Sequence, residues 1–275
     1  MIHRLSLPLA SALFVITTLA TTSAATAKEP ALDLLANTPI GSWQIREDTN
    51  TNHKGKQTVS VVKTSMLSEE MRDGERHYWM EVSMNDFKIR KGKKGDKRKK
   101  TGKQTVMKTL VPASVFIADP ANAIANLRGV GKEIIFQSGK SDPMIMRGAG
   151  ELASGVMQSM GASIDFDFSH QGSAQVTVPA GTFDTQIMSG SGTTTVNAVF
   201  KQINVSSTTT SWYSDQVPFG IVQANGETRS NGKTSTQSSQ VIEYGMTGAT
   251  SLITKTPQEM PQIPSLKGLL GGGSN

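Results

Sequence analysis

The stretch HYWMEVSM, residues 77–84, decides how the rest of the chain is read. Tyr78, Met80, Val82 and Met84 fall on one side of an extended chain, with Trp79, Glu81 and Ser83 on the other. That period of two marks a strand with one apolar and one wet face, the kind found in antiparallel sheets. Ile164, Phe166 and Phe168 repeat the pattern against Asp165 and Asp167. Noisier alternation at 42–47, 57–66, 104–111, 175–178, 183–188, 193–213, 220–229 and 233–244 predicts further strands. Between the last two stands Asn231-Gly232, a pair that tolerates the positive φ angles of a type I′ hairpin turn.

Helical signals are few. Asp119 as N-cap, Pro120 at the first helical position, Ala121, Ile124 and Leu127 on one face and Gly129 as stop predict a helix over 119–129. Leu152, Val156 and Met160 predict a second over about 150–160, and a short one is expected over 31–37. From Thr256 onward the chain is rich in Pro, Gly and polar residues, which predicts a flexible tail over 256–275.

The N-terminus carries Arg4, an apolar run through Leu9, Leu13, Phe14, Val15, Ile16 and Leu19, and Ala25-Thr26-Ala27. This order of charged, apolar and small residues predicts a cleaved secretory signal over 1–27 and a mature chain from Lys28. The apolar run is short of the roughly 20 residues that span a bilayer, so a protein not integral to a membrane is expected. The chain has no cysteine, so the folded product is held without disulfides. Removing 27 of the 275 residues leaves 248, enough for one β-rich domain, expected over 28–255, and a tail.

Enzyme chemistry needs groups that attack, hold a metal or move protons. After the signal the histidines are His53, His77 and His170, none in a metal-pair spacing. No nucleophile elbow or phosphate loop occurs, and there is no thiol. Asp165-x-Asp167 reads as two carboxylates facing solvent from one strand. A non-enzymatic protein without cofactor or metal is expected.

Charge is concentrated in one place. Residues 88–103 hold ten Lys and Arg against Asp96 alone, while the rest of the mature chain is mildly acidic. With Gly92, Gly95 and Gly102 among them, these residues are expected to form an extended basic loop at a hairpin tip. Lys91, Lys93, Lys94, Lys97, Arg98, Lys99 and Lys100 are the candidate contacts to an anionic surface, whether phospholipid, lipopolysaccharide or an acidic envelope protein. The segment lacks the interleaved aromatics that stack on bases, so nucleic acid is not an expected partner. Met80 and Met84 on a strand, and Met144, Met146, Met157 and Met160 around the predicted helices, suit an adaptable apolar surface or ordinary core filling.

Val178-Pro179-Ala180-Gly181-Thr182-Phe183, then Trp212-Tyr213-Ser214 and Val217-Pro218-Phe219-Gly220-Ile221-Val222, resemble exported bacterial proteins similar to the periplasmic lipoprotein-carrier superfamily of LolA and LolB. The resemblance covers roughly 165–254. It implies a mainly β (α+β) fold: a curved, incompletely closed antiparallel sheet, a LolA-like half-barrel, with a few helices on its concave face. It implies an apolar cavity, for which Tyr78, Met80, Val82, Met84, Leu152, Val156 and Met160 are the candidate ligand-binding residues. The expected function is a periplasmic binding or carrier protein for a lipid-like ligand; a structural or protein-interaction component of the cell envelope is the alternative.

Overall fold

The computed structural model describes residues 37–90, 97–116, 132–148, 150, 163–198 and 201–260. They form two antiparallel meanders. The first contains β1 (Trp43–Thr51), β2 (Gln57–Arg72), β3 (Glu75–Arg90), β4 (Lys97–Pro112), β5 (Glu133–Ser138) and β6 (Met144–Arg147). The second contains β7 (Ser163–Val178), β8 (Gly181–Ala198), β9 (Lys201–Tyr213), β10 (Ile221–Ser230) and β11 (Lys233–Gly245). Pairing of β1 with β11 joins them, and β12 (Gln258–Glu259) adds to β6 in parallel. The result is one twelve-stranded sheet in the order β12-β6-β5-β4-β3-β2-β1-β11-β10-β9-β8-β7.

Local chemistry sets the hairpins. Asn231 and Gly232 take φ of 50° and 71° between β10 and β11, the turn whose twist matches that of its strands. On β7, Phe166 and Phe168 stack at 4.8 Å between centroids. They lie flat against β8 because Gly190 and Gly192 offer no side chain there: a Cβ at Gly190 would come within 2.3 Å of the Phe168 ring.

Burial is concentrated in two regions. Val62, Met66, Met80 and Leu110 are almost fully excluded from water in the first meander, each contributing about 1.5–3 kcal/mol of transfer free energy. In the second, the β7–β8 turn curls back until the Ala180 amide donates to the Val241 carbonyl at 3.3 Å. Val178, Phe183, Val217, Val222 and Val241 form the cluster closed by that curl. Buried Gln44 ties the two regions together, its amide donating to the carbonyls of Pro218 (3.1 Å) and Ile221 (2.8 Å).

The expected half-barrel with helices on its concave face is corrected here. Among the described residues the fold is nearly all strand, in one open sheet, and no helix packs on either face; a short 3-10 turn at Ala113–Phe116 and residue 150 are all that is helical. The helices expected over 119–129 and 31–37 lie outside the described residues, save for residue 37, as does the one over 150–160 apart from residue 150. Cover comes instead from returning chain. The loop before β10 sits over Gln44, and residues 246–257 cross the sheet on the side of Trp79 and Glu81. The Trp43 indole donates to the Thr247 carbonyl at 3.1 Å, and the Ala249 amide to the Gly41 carbonyl at 2.7 Å. Glu81 accepts from Ser251 Oγ at 2.6 Å and from the Leu252 amide at 2.8 Å.

This crossing segment explains why the side of β3 expected to be wet is dry: Glu81 and Ser83 are 3% and 5% exposed. It also carries order past residue 256, where β12 pairs with β6; residues 261–275 lie outside the described part.

Candidate functional site

Of the expected apolar site, Met80 is buried opposite Met66 on β2, whereas Tyr78, Val82 and Met84 are half-buried on the same side of β3. Leu152, Val156 and Met160 lie outside the described residues. Two cavities among the described residues are lined by other residues than the β3 candidates. The larger, about 390 Å³, opens over β1, β9, β10 and β11 and is lined by polar side chains; the smaller, about 10 Å³, adjoins Arg46, Asp48 and Ser239.

The basic segment is ordered further than a loop reading expects. Strand pairing runs into it from both sides, placing Lys88 opposite Lys99 and Arg90 opposite Lys97; residues 91–96, with Lys91, Lys93 and Lys94, lie outside the described part. Like charges held directly opposite each other destabilise a sheet. Lys88, Lys97 and Lys99 share one side of this ribbon by register and are exposed. Among the described residues none of them, nor Lys100, makes an ion pair.

One cation behaves differently. Arg98 binds Glu47 through both guanidinium NH groups, at 2.6 and 2.9 Å, and that carboxylate raises the Arg98 pKa further above its ordinary value. Glu47 is on β1, and β3 and β2 lie between it and β4. Three strand spacings amount to about 14 Å, so the ion pair requires the ribbon to bend across the sheet. An irregularity in the β3–β4 pairing supplies the bend: Met84 faces Thr105 but Asp86 faces Thr101, which leaves extra residues on β4. Sequence reading could not find Glu47 as partner, since fifty-one positions separate it from Arg98.

Other surface lysines are engaged. Lys63 lies 4.6 Å from the Trp43 ring centroid and Lys108 5.1 Å from that of Trp79, distances at which a cation gains from the ring's quadrupole. The far edge is pinned by a chain of charges from Glu70 through Arg72, Glu133 and Arg147 to Glu259.

His77 is buried, with Nδ1 3.0 Å from the Glu75 carbonyl. Asp165 and Asp167 are exposed on β7. Among the described residues no three His, Asp or Glu side chains converge as a metal site would require, and no helix is long and apolar enough to cross a membrane.

No family model and no curated protein matches the chain. Among solved structures it is similar to a "putative lipoprotein" from Parabacteroides distasonis ATCC 8503, with 13% identity over 79% of this chain and 100% of that one, at a TM-score of 0.36. It is also similar to a "putative exported protein with YmcC-like fold" from Bacteroides fragilis NCTC 9343, with 13% identity over 76% of this chain and 97% of that one, again at a TM-score of 0.36.

Proposed function

We propose that this chain is an exported, non-catalytic envelope protein that docks on an anionic lipid surface through the basic β3–β4 ribbon. The observation that carries the reading is the ribbon itself. Two like-charge pairs stand in register on paired strands, and the ribbon is anchored by Arg98 to Glu47 rather than left as a free loop. Holding repelling cations at fixed spacing costs stability, which an anionic surface offsets by neutralising them. Near such a surface each Lys contributes about 1 kcal/mol, within a Debye length of about 8 Å at physiological salt. Lys88, Lys97 and Lys99 together are then worth about a hundredfold in partition.

An apolar-ligand carrier remains the finer expectation for the Tyr78 side of β3, but the polar lining of the larger cavity does not favour it.

The test is co-sedimentation with phosphatidylcholine vesicles with and without phosphatidylglycerol, at low and high salt. Wild type is expected to sediment with the anionic vesicles at low salt and to lose binding on changing Lys88, Lys97, Lys99 and Lys100 to Gln. Equal partition of wild type and variant at low salt would overturn the proposal. Binding to an acidic protein but to no vesicle would assign the ribbon to a protein partner instead.

A further inference from the structure

The second meander carries a surface that the docking ribbon leaves unexplained. On one side of the sheet the register aligns Thr49, Ser238, Asn225 and Thr210 in one row and Thr51, Thr236, Glu227 and Thr208 in the next. These eight residues line the groove of about 390 Å³, within the roughly 300–1,000 Å³ of small-molecule clefts. Strands about 4.8 Å apart and same-face residues about 6.8 Å apart set its hydroxyl and amide groups at the scale of a single sugar ring.

Two features separate this surface from an ordinary wet sheet face. Most of its polar groups are uncommitted: among the described residues the side chains of Thr49, Thr51, Thr208, Asn225, Thr236 and Ser238 make no hydrogen bond within the protein, while Thr210 pairs with Ser189 and Thr209 donates to the Asn225 carbonyl. And an aromatic borders it. Trp212 is aligned with Gln223, one row along from the pair Thr210 and Asn225. It is half-buried, and among the described residues its indole N–H has no partner, so by register an apolar ring and a donor stand one row beyond the groove lining.

Charge narrows the ligand. Glu227 is the one ionisable residue in the lining and forms no ion pair among the described residues. The next residue on its side of β10 is Arg229, one row beyond the lining, so the groove has no excess of either charge and offers a carboxylate that accepts from paired hydroxyls. We infer that this groove binds a neutral, hydroxyl-rich glycan chain, with Trp212 stacking on one sugar ring and the Thr, Ser and Asn side chains exchanging hydrogen bonds with the others. The ribbon, which selects anions, is anchored at Glu47, one row from Thr49 on the same side of β1, so the two surfaces adjoin while taking different ligands.

The test is a glycan array carrying neutral and acidic oligosaccharides, probed with the mature chain, followed by titration of the strongest hit. Two variants decide the outcome: Thr208→Val with Thr236→Val, which keeps β-branched side chains and so the strands, and Lys88→Gln with Lys99→Gln on the ribbon. Neutral glycans bound by wild type, about tenfold more weakly by the valine variant at unchanged melting temperature, and equally by the ribbon variant are the expected result. Equal affinity of the valine variant, binding of acidic glycans alone with loss in the ribbon variant, or no glycan bound at all would each overturn the inference. Should the valine variant fail to fold, Trp212→Leu replaces it, with the same expected weakening.

Discussion

Replacing Lys88 and Lys99 together by Gln separates a docking ribbon from a merely soluble one, because stability and binding should move in opposite directions. The two lysines are register partners on β3 and β4, exposed and without ion pairs among the described residues. At about 5 Å in a solvent-like dielectric, two unit charges repel by about 0.8 kcal/mol, in line with the 0.2–1 kcal/mol scale of cross-strand pairs. Removing both charges should therefore stabilise the fold by about 0.5–1 kcal/mol at low salt, or roughly 1–4 °C in melting temperature for a chain of this size. The gain should shrink as salt screens the repulsion. Partition onto phosphatidylglycerol vesicles should fall by about thirtyfold for the two lost charges. The assays are thermal melts across a salt series and vesicle co-sedimentation of the same preparations. Lower stability in the variant, or higher stability with unchanged vesicle binding, would refute the reasoning.

Further expectations follow from buried contacts elsewhere. Gln44→Ala leaves the buried carbonyls of Pro218 and Ile221 without their donor and should cost about 2–3 kcal/mol, read as a lower urea midpoint at constant slope; a loss under 0.5 kcal/mol would contradict the role given to Gln44. Glu81→Ala removes the acceptor of Ser251 and Leu252 and should speed hydrogen exchange at the Leu252 amide by tenfold or more, whereas unchanged protection would mean that the crossing segment is held elsewhere. Hydrogen bonds from the Ser114 hydroxyl and amide hold the Glu75 carboxyl below its ordinary value of 4.5. Its contribution is thus present above pH 4.5 and lost as pH falls through the depressed folded value. Carboxyl NMR titration should show a low Glu75 midpoint that rises in Ser114→Ala; a midpoint at or above the ordinary value would contradict the contact.

Strand identity was legible because it is written locally. Alternation at 77–84 and 164–168 and the Asn231-Gly232 turn each depend on neighbours a few residues apart, and all three appear where expected. What sequence could not carry was pairing at a distance. The junction of the two meanders sets Trp43 against Gly245, and nothing local announces it. Alternation places Glu81 on a wet face for the same reason: its cover arrives from Ser251 and Leu252, about 170 positions later. Composition alone makes the basic segment a loop, yet pairing continues to Arg90 and Lys97, since strands already in register propagate past unfavourable side chains. The polar groove is not written locally either: its eight side chains are ordinary one at a time and become a site only when β1, β11, β10 and β9 align them.

The central claim is that the ribbon is the part of the molecule that meets an anionic surface, and the absence of cysteine from the chain permits a direct test. A single cysteine introduced as Lys97→Cys, labelled with an environment-sensitive fluorophore, should shift to the blue on addition of phosphatidylglycerol vesicles and return on raising the salt. The same label at Thr236→Cys, in the groove, should report no change. A shift at position 236 with none at position 97, or none at either, would contradict the account.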